Sequence, residues 1–494
     1  MPLSPKGKSQ PPLKKRPSWS DIWFRDQELK HVFLKMRLHS LSDSRLQSLS
    51  DSRLQSLSGT PPSEPEETLA IDNPTGPDST SLLSDQLLLI ILSKLPQSQH
   101  ISNSLVCRRW SKLSGRLVSS VKLLDWDFLE SGRLVYRFPN LTDIDLVRAC
   151  LQSTRNSGIL LTHKLLSIHL DSGFSGDGFI RKQDLLHSNV IDAGLRILIE
   201  GCANLRKLVL IGASKEALSC VAECLTLQEL ELHCCADSSL GGISGCQNLQ
   251  ILKLIGCVDG FYNAVISDIG LTIVAQGCRR LVKLELVGNE GSYDGIKAIG
   301  QCCPMLEELT LFNHRMDGGW LAALSFCGNL KTLKLQHCKS IDLSPWPDEH
   351  LGSCLTLEEL HLQGCHMRDK QGVRALFLVC ETVRELVFED CWGLDNHIFS
   401  SASICRRVRL LSLHGCSLLS AEGLDSVIHS WKELKTLRVV SCNNIKDSEV
   451  TPALAALFPV LKELKWRPDS ISLLSSGLVG TGVRKKGGRS FKRT

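Results

Sequence analysis

Between residues 141 and 466 the chain repeats one apolar pattern, L-x-x-L-x-L with apolar substitutions, and this repetition constrains its fold more than any other feature. Copies begin at Leu141, Leu165, Leu205, Leu227, Leu249, Leu281, Leu306, Leu330, Leu357, Val383, Val408, Leu434 and Leu461. These thirteen starts span 320 residues, a mean interval near 27. A unit of that size cannot bury its own apolar face, so neighbouring units must stack and share one continuous core. An ordinary single-core globule is thereby excluded.

Cysteine follows the same register. Counting the first apolar residue of each copy as position 1, position 9 is Cys235, Cys257, Cys338, Cys365, Cys391, Cys416 and Cys442, with Asn289 in one further copy. Cysteine also stands three residues ahead of the core at Cys202, Cys224, Cys246, Cys278, Cys303, Cys327, Cys354, Cys380 and Cys405, so sixteen of the 21 cysteines obey the repeat. No C-x-x-C pair occurs, which removes the common zinc and redox spacings. The thiols are expected to be buried and inert, each offering a weak S–H donor to a free carbonyl where a strand turns into the core. Position 9 is the Asn/Cys position of a leucine-rich repeat. Helical patterns run between the cores, as at Asp192-Ala193-Gly194-Leu195, Asp268-Ile269-Gly270-Leu271 and Gly372-Val373-Arg374-Ala375-Leu376, with Asp expected as an N-cap. The predicted fold is therefore an α/β leucine-rich-repeat solenoid over 140–468, with a parallel concave sheet and convex helices. The long intervals after Leu165 and Leu249 predict surface loops near 172–189 and 258–267.

Composition narrows the function. The longest apolar run, 87–92, is far short of the roughly 20 residues of a membrane-spanning helix, and the first twenty residues hold five prolines and no apolar segment like that of a secretory signal. The expectation is a nuclear or cytoplasmic protein without a membrane partner. From Arg467 to Thr494 seven basic residues face one acidic residue, while the remaining chain holds 50 basic and 51 acidic. A basic tail on a neutral body argues against a nucleic-acid reader, whose folded domain carries the positive face. No P-loop, H-E-x-x-H, G-x-S-x-G or G-x-G-x-x-G is present. No catalytic residue, metal site or cofactor is expected.

Ahead of the repeats, residues 1–80 read as mostly disordered, with LSDSRLQS in tandem over 41–56 and an apolar, Trp-rich island at 17–38. A helical pair follows at 81–118, then a helical connector at 119–139; a basic tail, 469–494, ends the chain. In the pair, Leu83-Ser84-Asp85-Gln86-Leu87 leads into an Ile-Leu-x-x-Leu helix and then Ser104-Leu105-Val106-Cys107-Arg108-Arg109-Trp110. This segment resembles an F-box, with Ser84 where that family has Pro and Gln86 where it has Glu. Together with the cysteine-containing repeats, the chain is similar to plant F-box/leucine-rich-repeat proteins. The resemblance implies a substrate receptor of an SCF-type cullin-RING ubiquitin ligase, the F-box docking on a Skp-family adaptor and, through it, on cullin and RING subunits. It implies Leu83, Leu87, Ile91, Leu92, Leu95, Leu105, Val106 and Trp110 as the adaptor surface or its support. A leucine-rich-repeat scaffold with no ligase role is the alternative.

For the target protein, strand alternation puts positions 3, 5 and 7 on the concave face. Position 7 reads Ile211, His233, Ile255, Val287 and Phe312 in the middle copies, flanked by Val209 and Ile251. A row of exposed apolar side chains predicts a groove for an apolar target segment, unless the island or the 172–189 loop covers it. Glu359, Glu385 and Glu389 predict an acidic patch suited to a basic segment. A small-molecule receptor with a polyphosphate site would need a basic ring, whereas that face offers only scattered Lys207, Lys253, Lys283, Lys334 and Arg438.

Overall fold

The computed structural model describes residues 79–152, 158–162, 167–171, 184–258, 262–468 and 491–492. The Trp-rich island and most of the 172–189 and 469–494 segments lie outside these residues. One sheet organises the solenoid. Its strands are β1 (Ser120–Lys122), β2 (Asp143–Asp145), β3 (Lys207–Ile211), β4 (Glu229–His233), β5 (Ile251–Ile255), β6 (Lys283–Val287), β7 (Glu308–Phe312), β8 (Thr332–Gln336), β9 (Glu359–Gln363), β10 (Glu385–Glu389), β11 (Leu410–His414), β12 (Thr436–Val440), β13 (Glu463–Arg467) and β14 (Phe491–Lys492). β1 to β13 run parallel in sequence order, and β14 returns antiparallel on β13.

The repeat positions explain this register. Position 4 of each strand lies beside position 4 of the next, as in Leu333 beside Leu360 and Leu360 beside Leu386, and positions 4 and 6 form the buried stack. Convex cover comes from α-helices such as Asp268–Gly277, Tyr293–Cys302 and Lys370–Val379, or from 3₁₀ turns such as Trp320–Phe326. The thirteen parallel strands are not the thirteen copies read from the sequence. The copy at Leu165 forms Ser167–Asp171, which pairs antiparallel with Gly158–Thr162 in a separate two-stranded sheet, while β2 pairs directly with β3. That copy has Gly173 at position 9 and Thr162 three residues before its core, so neither cysteine of the register is present there. The thirteenth strand is β1, inside the stretch expected as a helical connector; short helices Asp127–Glu130 and Arg133–Arg137 follow it. Val118, Val121 and Leu123 carry the repeat spacing there with valine substitutions.

The cysteines bind as expected. Cys365 Sγ donates to Leu335 O (3.2 Å), Cys391 Sγ to Leu362 O (3.3 Å), and Asn289 Nδ2 fills the same role on Leu254 O (3.0 Å). Burial pushes the thiols of Cys235 and Cys391 up to about 12, which removes the thiolate that reactivity requires. The described cysteines are free thiols.

Asp369 caps Lys370–Val379 as expected, accepting from Gln371 N (3.0 Å) and Gly372 N (3.1 Å), but other helix starts differ. Ser267, not Asp268, caps Asp268–Gly277, and Asp192 sits inside Ser188–Gly201. The aspartates instead tie one repeat to the next: Asp237 accepts from Ser267 N (2.9 Å), Asp268 from Ser292 N (2.8 Å), and Asp192 from Ser214 Oγ (2.9 Å). In these three pairs a carboxylate of one helix thus fixes the cap of the following one.

Position 8 turns through left-handed backbone at Gly212, Gly288, Gly364 and Gly415, but also at Cys234, Asn313, His337, Asp390 and Ser441. Left-handed backbone costs a side-chain-bearing residue roughly 1–2 kcal/mol, offset in part by the entropy a glycine loses. Ser441, at φ 54° and exposed, is the simplest test. Ser441→Gly is expected to raise stability by about 0.5–1 kcal/mol in urea unfolding; a loss would show that the hydroxyl does structural work there.

Candidate functional site

Two surfaces stand out. The first is the helical unit of α1 (Asp85–Lys94), α2 (His100–Ser104) and α3 (Arg108–Arg116). Ser84 caps α1, its Oγ accepting from Leu87 N (3.3 Å), so the residue that departs from the F-box pattern supplies the helix start by a different means. Arg109 Nε donates to Asp85 Oδ1 (2.8 Å) and clamps α3 to the first turn of α1. Cys107 Sγ accepts from Trp110 N (3.4 Å) at the start of α3.

These ties settle which apolar side chains point inward. Leu88, Leu92 and Leu113 are buried, whereas Leu87, Ile90, Ile91, Leu105 and Val106 are 44–61% exposed. Of the residues expected at an adaptor surface, Leu87, Ile91, Leu105 and Val106 therefore reach solvent. Leu92 does not; it packs inside the unit, because it falls one turn after Leu88 on the inner stripe. Leu83, Leu95 and Trp110 are half-buried, and Trp110 Nε1 has no hydrogen-bond partner among the described residues. Ile90, missed in the sequence, lies three residues after Leu87 on the outer face. A helix apolar nearly all round gives no clue to which side faces its neighbours.

The second surface is the concave sheet, whose two halves differ. Across β3 to β8 its lysines are matched to carboxylates on the same or adjacent strands. Lys207 pairs with Glu229 (2.9 Å), Lys253 with Glu231 (3.6 Å) and Glu285 (3.8 Å), Lys283 with Glu285 (2.8 Å) and Glu308 (3.3 Å), and Lys334 with Glu308 (2.7 Å). Burial alone would raise the carboxyls of Glu231 and Glu308. Both are nevertheless lowered, Glu231 by His233 and Lys253 and Glu308 by Lys334 and Lys283. Arg438 is likewise held by Glu463 (3.1 Å). These cations are engaged with the protein's own carboxylates and form no phosphate-binding ring.

Position 7 corrects an expectation. Ile211, His233, Ile255 and Val287 are at most 2% exposed, Val209 is also buried, and Phe312 is half-buried against His337 with ring centroids 5.1 Å apart. No exposed apolar groove exists along this row. The five residues stand side by side in register, Ile211–His233–Ile255–Val287–Phe312, at a strand spacing of about 4.8 Å that lets each cover its neighbours. The chain also folds back at the strand ends: after the hairpin Cys257–Val258/Tyr262–Asn263, Ala264 N donates to Gly256 O (3.3 Å).

Beyond β8 the character changes. Glu359 and Glu385 are cross-strand neighbours in β9 and β10, and Glu389 closes β10. Glu359 accepts from Thr332 Oγ1 (3.2 Å), but Glu385 and Glu389 have no Lys or Arg partner among the described residues. Like charges placed opposite each other oppose folding, so this pair keeps an electrostatic demand that the protein itself does not meet. At the rim just past Glu389 stands Trp392, 67% exposed. The sequence reading missed it because it follows Cys391, outside the apolar period.

Other features are spare. A polar hollow of about 470 Å³ lies between the helices Ser188–Gly201 and Lys215–Ala222, lined by Arg196, Glu200, Lys215 and Glu216 among others. Among the described residues no three His, Cys, Asp or Glu side chains are grouped to hold a metal ion, and no helix is long and apolar enough to cross a membrane.

No family model matches the chain. It is 25% identical over 202 residues to the Putative RNA-binding protein EEED8.10 of Caenorhabditis elegans, an alignment covering 39% of this chain and 26% of that protein. The chain thus spans about a quarter of the length of that relative. Among solved structures it is similar to an internalin (inlF) of Listeria monocytogenes, with TM-score 0.36 and 17% identity over 75% of this chain and 92% of that one. An internalin C2 of the same bacterium gives TM-score 0.24 and 21% identity, over 38% and 78% of the two chains. Strand order, register and the position-9 donors establish what this chain is in its own right: an α/β leucine-rich-repeat solenoid.

Proposed function

We infer that the protein is the substrate-recognition subunit of an SCF-type cullin-RING ubiquitin ligase. The helical unit docks on a Skp-family adaptor through Leu87, Ile90, Ile91, Leu105 and Val106, and the solenoid holds the target on its concave face. The observation that carries this reading is the exposure of those five side chains on a small helical unit directly ahead of a repeat solenoid. Contiguous exposed apolar side chains mark interaction sites. Mechanism is then positioning: holding a target lysine near a ubiquitin-charged enzyme raises its effective concentration without a covalent step on this chain.

On the target side, the unmatched Glu385 and Glu389 favour a protein segment bearing Lys or Arg. RNA binding, stated of the nematode relative by its name, is not carried over, because the concave cations already hold carboxylates of this chain.

Co-purification of the full chain with a Skp-family adaptor and cullin tests the reading. Leu87→Asp with Val106→Asp, both on exposed sites, is expected to weaken capture by roughly 100-fold or more; undiminished capture would remove this face as the docking surface. Separately, Glu385→Lys with Glu389→Lys is expected to abolish target capture and leave adaptor binding intact, and the reverse pattern would reject the concave assignment.

A further inference from the structure

The strand starts form a rim opposite the one that carries Trp392, made by the two residues ahead of position 1 and by position 2. Backbone bonds keep position 2 in line from repeat to repeat: Arg409 N donates to Arg384 O (2.7 Å), Lys435 N to Arg409 O (2.8 Å) and Lys462 N to Lys435 O (2.9 Å). Successive position 2 residues thus follow one another at the strand spacing of about 4.8 Å. Up to Arg409, a cation at position 2 meets a carboxylate of a neighbouring repeat. Lys331 pairs with Glu307 (2.9 Å), Arg384 with Glu358 (3.1 Å) and Arg409 with Glu433 (2.7 Å).

The matching stops there. In the last three repeats the rim positions hold Arg406, Arg407 and Arg409, then Lys432, Glu433 and Lys435, then Pro459, Val460 and Lys462, six cations against one acid. That acid is engaged: the Arg409 guanidinium, with Lys435 and Arg407 adding to it, holds the Glu433 carboxyl below its ordinary value. Arg406, Arg407, Lys432, Lys435 and Lys462 are all exposed and have no carboxylate partner among the described residues. Like charges set side by side on adjacent strands oppose folding, so this rim keeps an electrostatic demand for an anion.

Size and composition decide which anion fits. The row from Arg409 to Lys462 covers two strand spacings, about 10 Å, the length of three or so extended residues. Val460, 75% exposed, adds an apolar side chain two residues before Lys462. Nucleic-acid sites combine cations with aromatic rings for stacking, or track a longer run of phosphates; no aromatic residue occupies these rim positions in the three repeats. We propose that the rim from Arg406 to Lys462 is a docking site for a short acidic segment of a partner protein, with carboxylates on Arg407, Lys435 and Lys462 and an apolar residue on Val460. The site is separate from the helical unit and from Glu385 and Glu389, so it stands whether or not the ligase reading does. Its cations are exposed, so the attraction is screened and affinity falls as salt rises.

Fluorescence anisotropy of a labelled peptide of glutamates with one central valine, titrated with the full chain, tests this. Lys435→Glu with Lys462→Glu is expected to weaken binding by roughly tenfold or more. Arg196→Glu with Lys215→Glu makes the same change in net charge at exposed sites on the convex helices, and is expected to leave affinity unchanged. The unfolding temperature of the rim variant is expected to hold or rise, because a row of like charges is relieved. Failure of the wild-type chain to bind the peptide would overturn the proposal, as would equal affinity in the rim variant. Equal weakening in both variants would also overturn it, since binding would then follow total charge. So would a lowered unfolding temperature in the rim variant, which would assign the lysines to the fold, or tighter binding of an oligouridylate of equal charge, which would make the rim a nucleic-acid site.

Discussion

Phe388→Ala is expected to lower stability by about 3–5 kcal/mol, the largest effect of any single substitution considered. Phe388 is completely buried at position 6 of β10. Its ring lies 6.5 Å from Phe377 on the convex helix of the preceding repeat and 5.9 Å from Phe399 of its own repeat, which stands 6.1 Å from Trp431 of the next. These four rings form a spine through three successive repeats, and deleting one leaves a void that regular stacked strands on either side cannot close. Because each repeat touches only its neighbours, the damage should be local. Urea unfolding followed by intrinsic fluorescence should show the C-terminal repeats melting first, while Phe388→Leu should cost less than about 1.5 kcal/mol. A Phe388→Ala loss below about 1 kcal/mol would contradict the spine.

Acidification supplies the second large effect. His314 is buried, Met316 N donates to its Nδ1 (3.3 Å), and Nε2 finds no partner among the described residues. Its ring lies edge-on to Trp320, centroids 5.4 Å apart. Burial lowers its pKa from 6.5 to about 4. Between these values the unfolded chain binds a proton that the native chain refuses, so stability falls as pH drops from about 6.5 to about 4 and is unaffected by this group above that window. The shift corresponds to roughly 3 kcal/mol at the lower end. Glu231 and Glu308, whose pKa values are lowered, add a separate loss below about 4.5, as their carboxylates protonate and their ion pairs dissolve. His314→Asn should flatten the stability profile between pH 6.5 and 4.5 and leave the steeper acid limb; an unchanged profile in that window would show that another group titrates there.

How much of this was legible depended on whether a residue's role is periodic. The strands, their register and the cysteine donors were readable because each recurs at a fixed spacing and burial demands it. Val118, Val121 and Leu123 obeyed the same spacing but passed unnoticed, since valine weakens an L-x-x-L-x-L search. Leu165 carries the same spacing but stays outside the stack, because alternation alone suits any strand, including one that pairs in an antiparallel hairpin. The candidate surfaces were less legible. Ile255 and Val287 were expected outward by alternation, yet a strand's last residue is set by the turn that follows it, and apolar neighbours in register bury one another. In α1, Leu87 and Leu92 are chemically equivalent in sequence, and only packing against Leu113 and the Arg109–Asp85 clamp separates the outer face from the inner one. The pairs of Lys253 with Glu231 and of Lys283 with Glu308 were invisible because they join residues more than twenty positions apart.

The proposed function requires α1 to α3 to dock on the ligase adaptor. Calorimetric titration of purified Skp-family adaptor into the full chain addresses it most directly, beside the same titration with Leu87→Asp. One site per chain with a Kd of about 1 μM or tighter is expected, lost in the variant while its thermal unfolding stays unchanged. Absence of heat with the wild-type chain, or equal affinity in the variant, would contradict it and leave a repeat scaffold whose helical unit serves another partner.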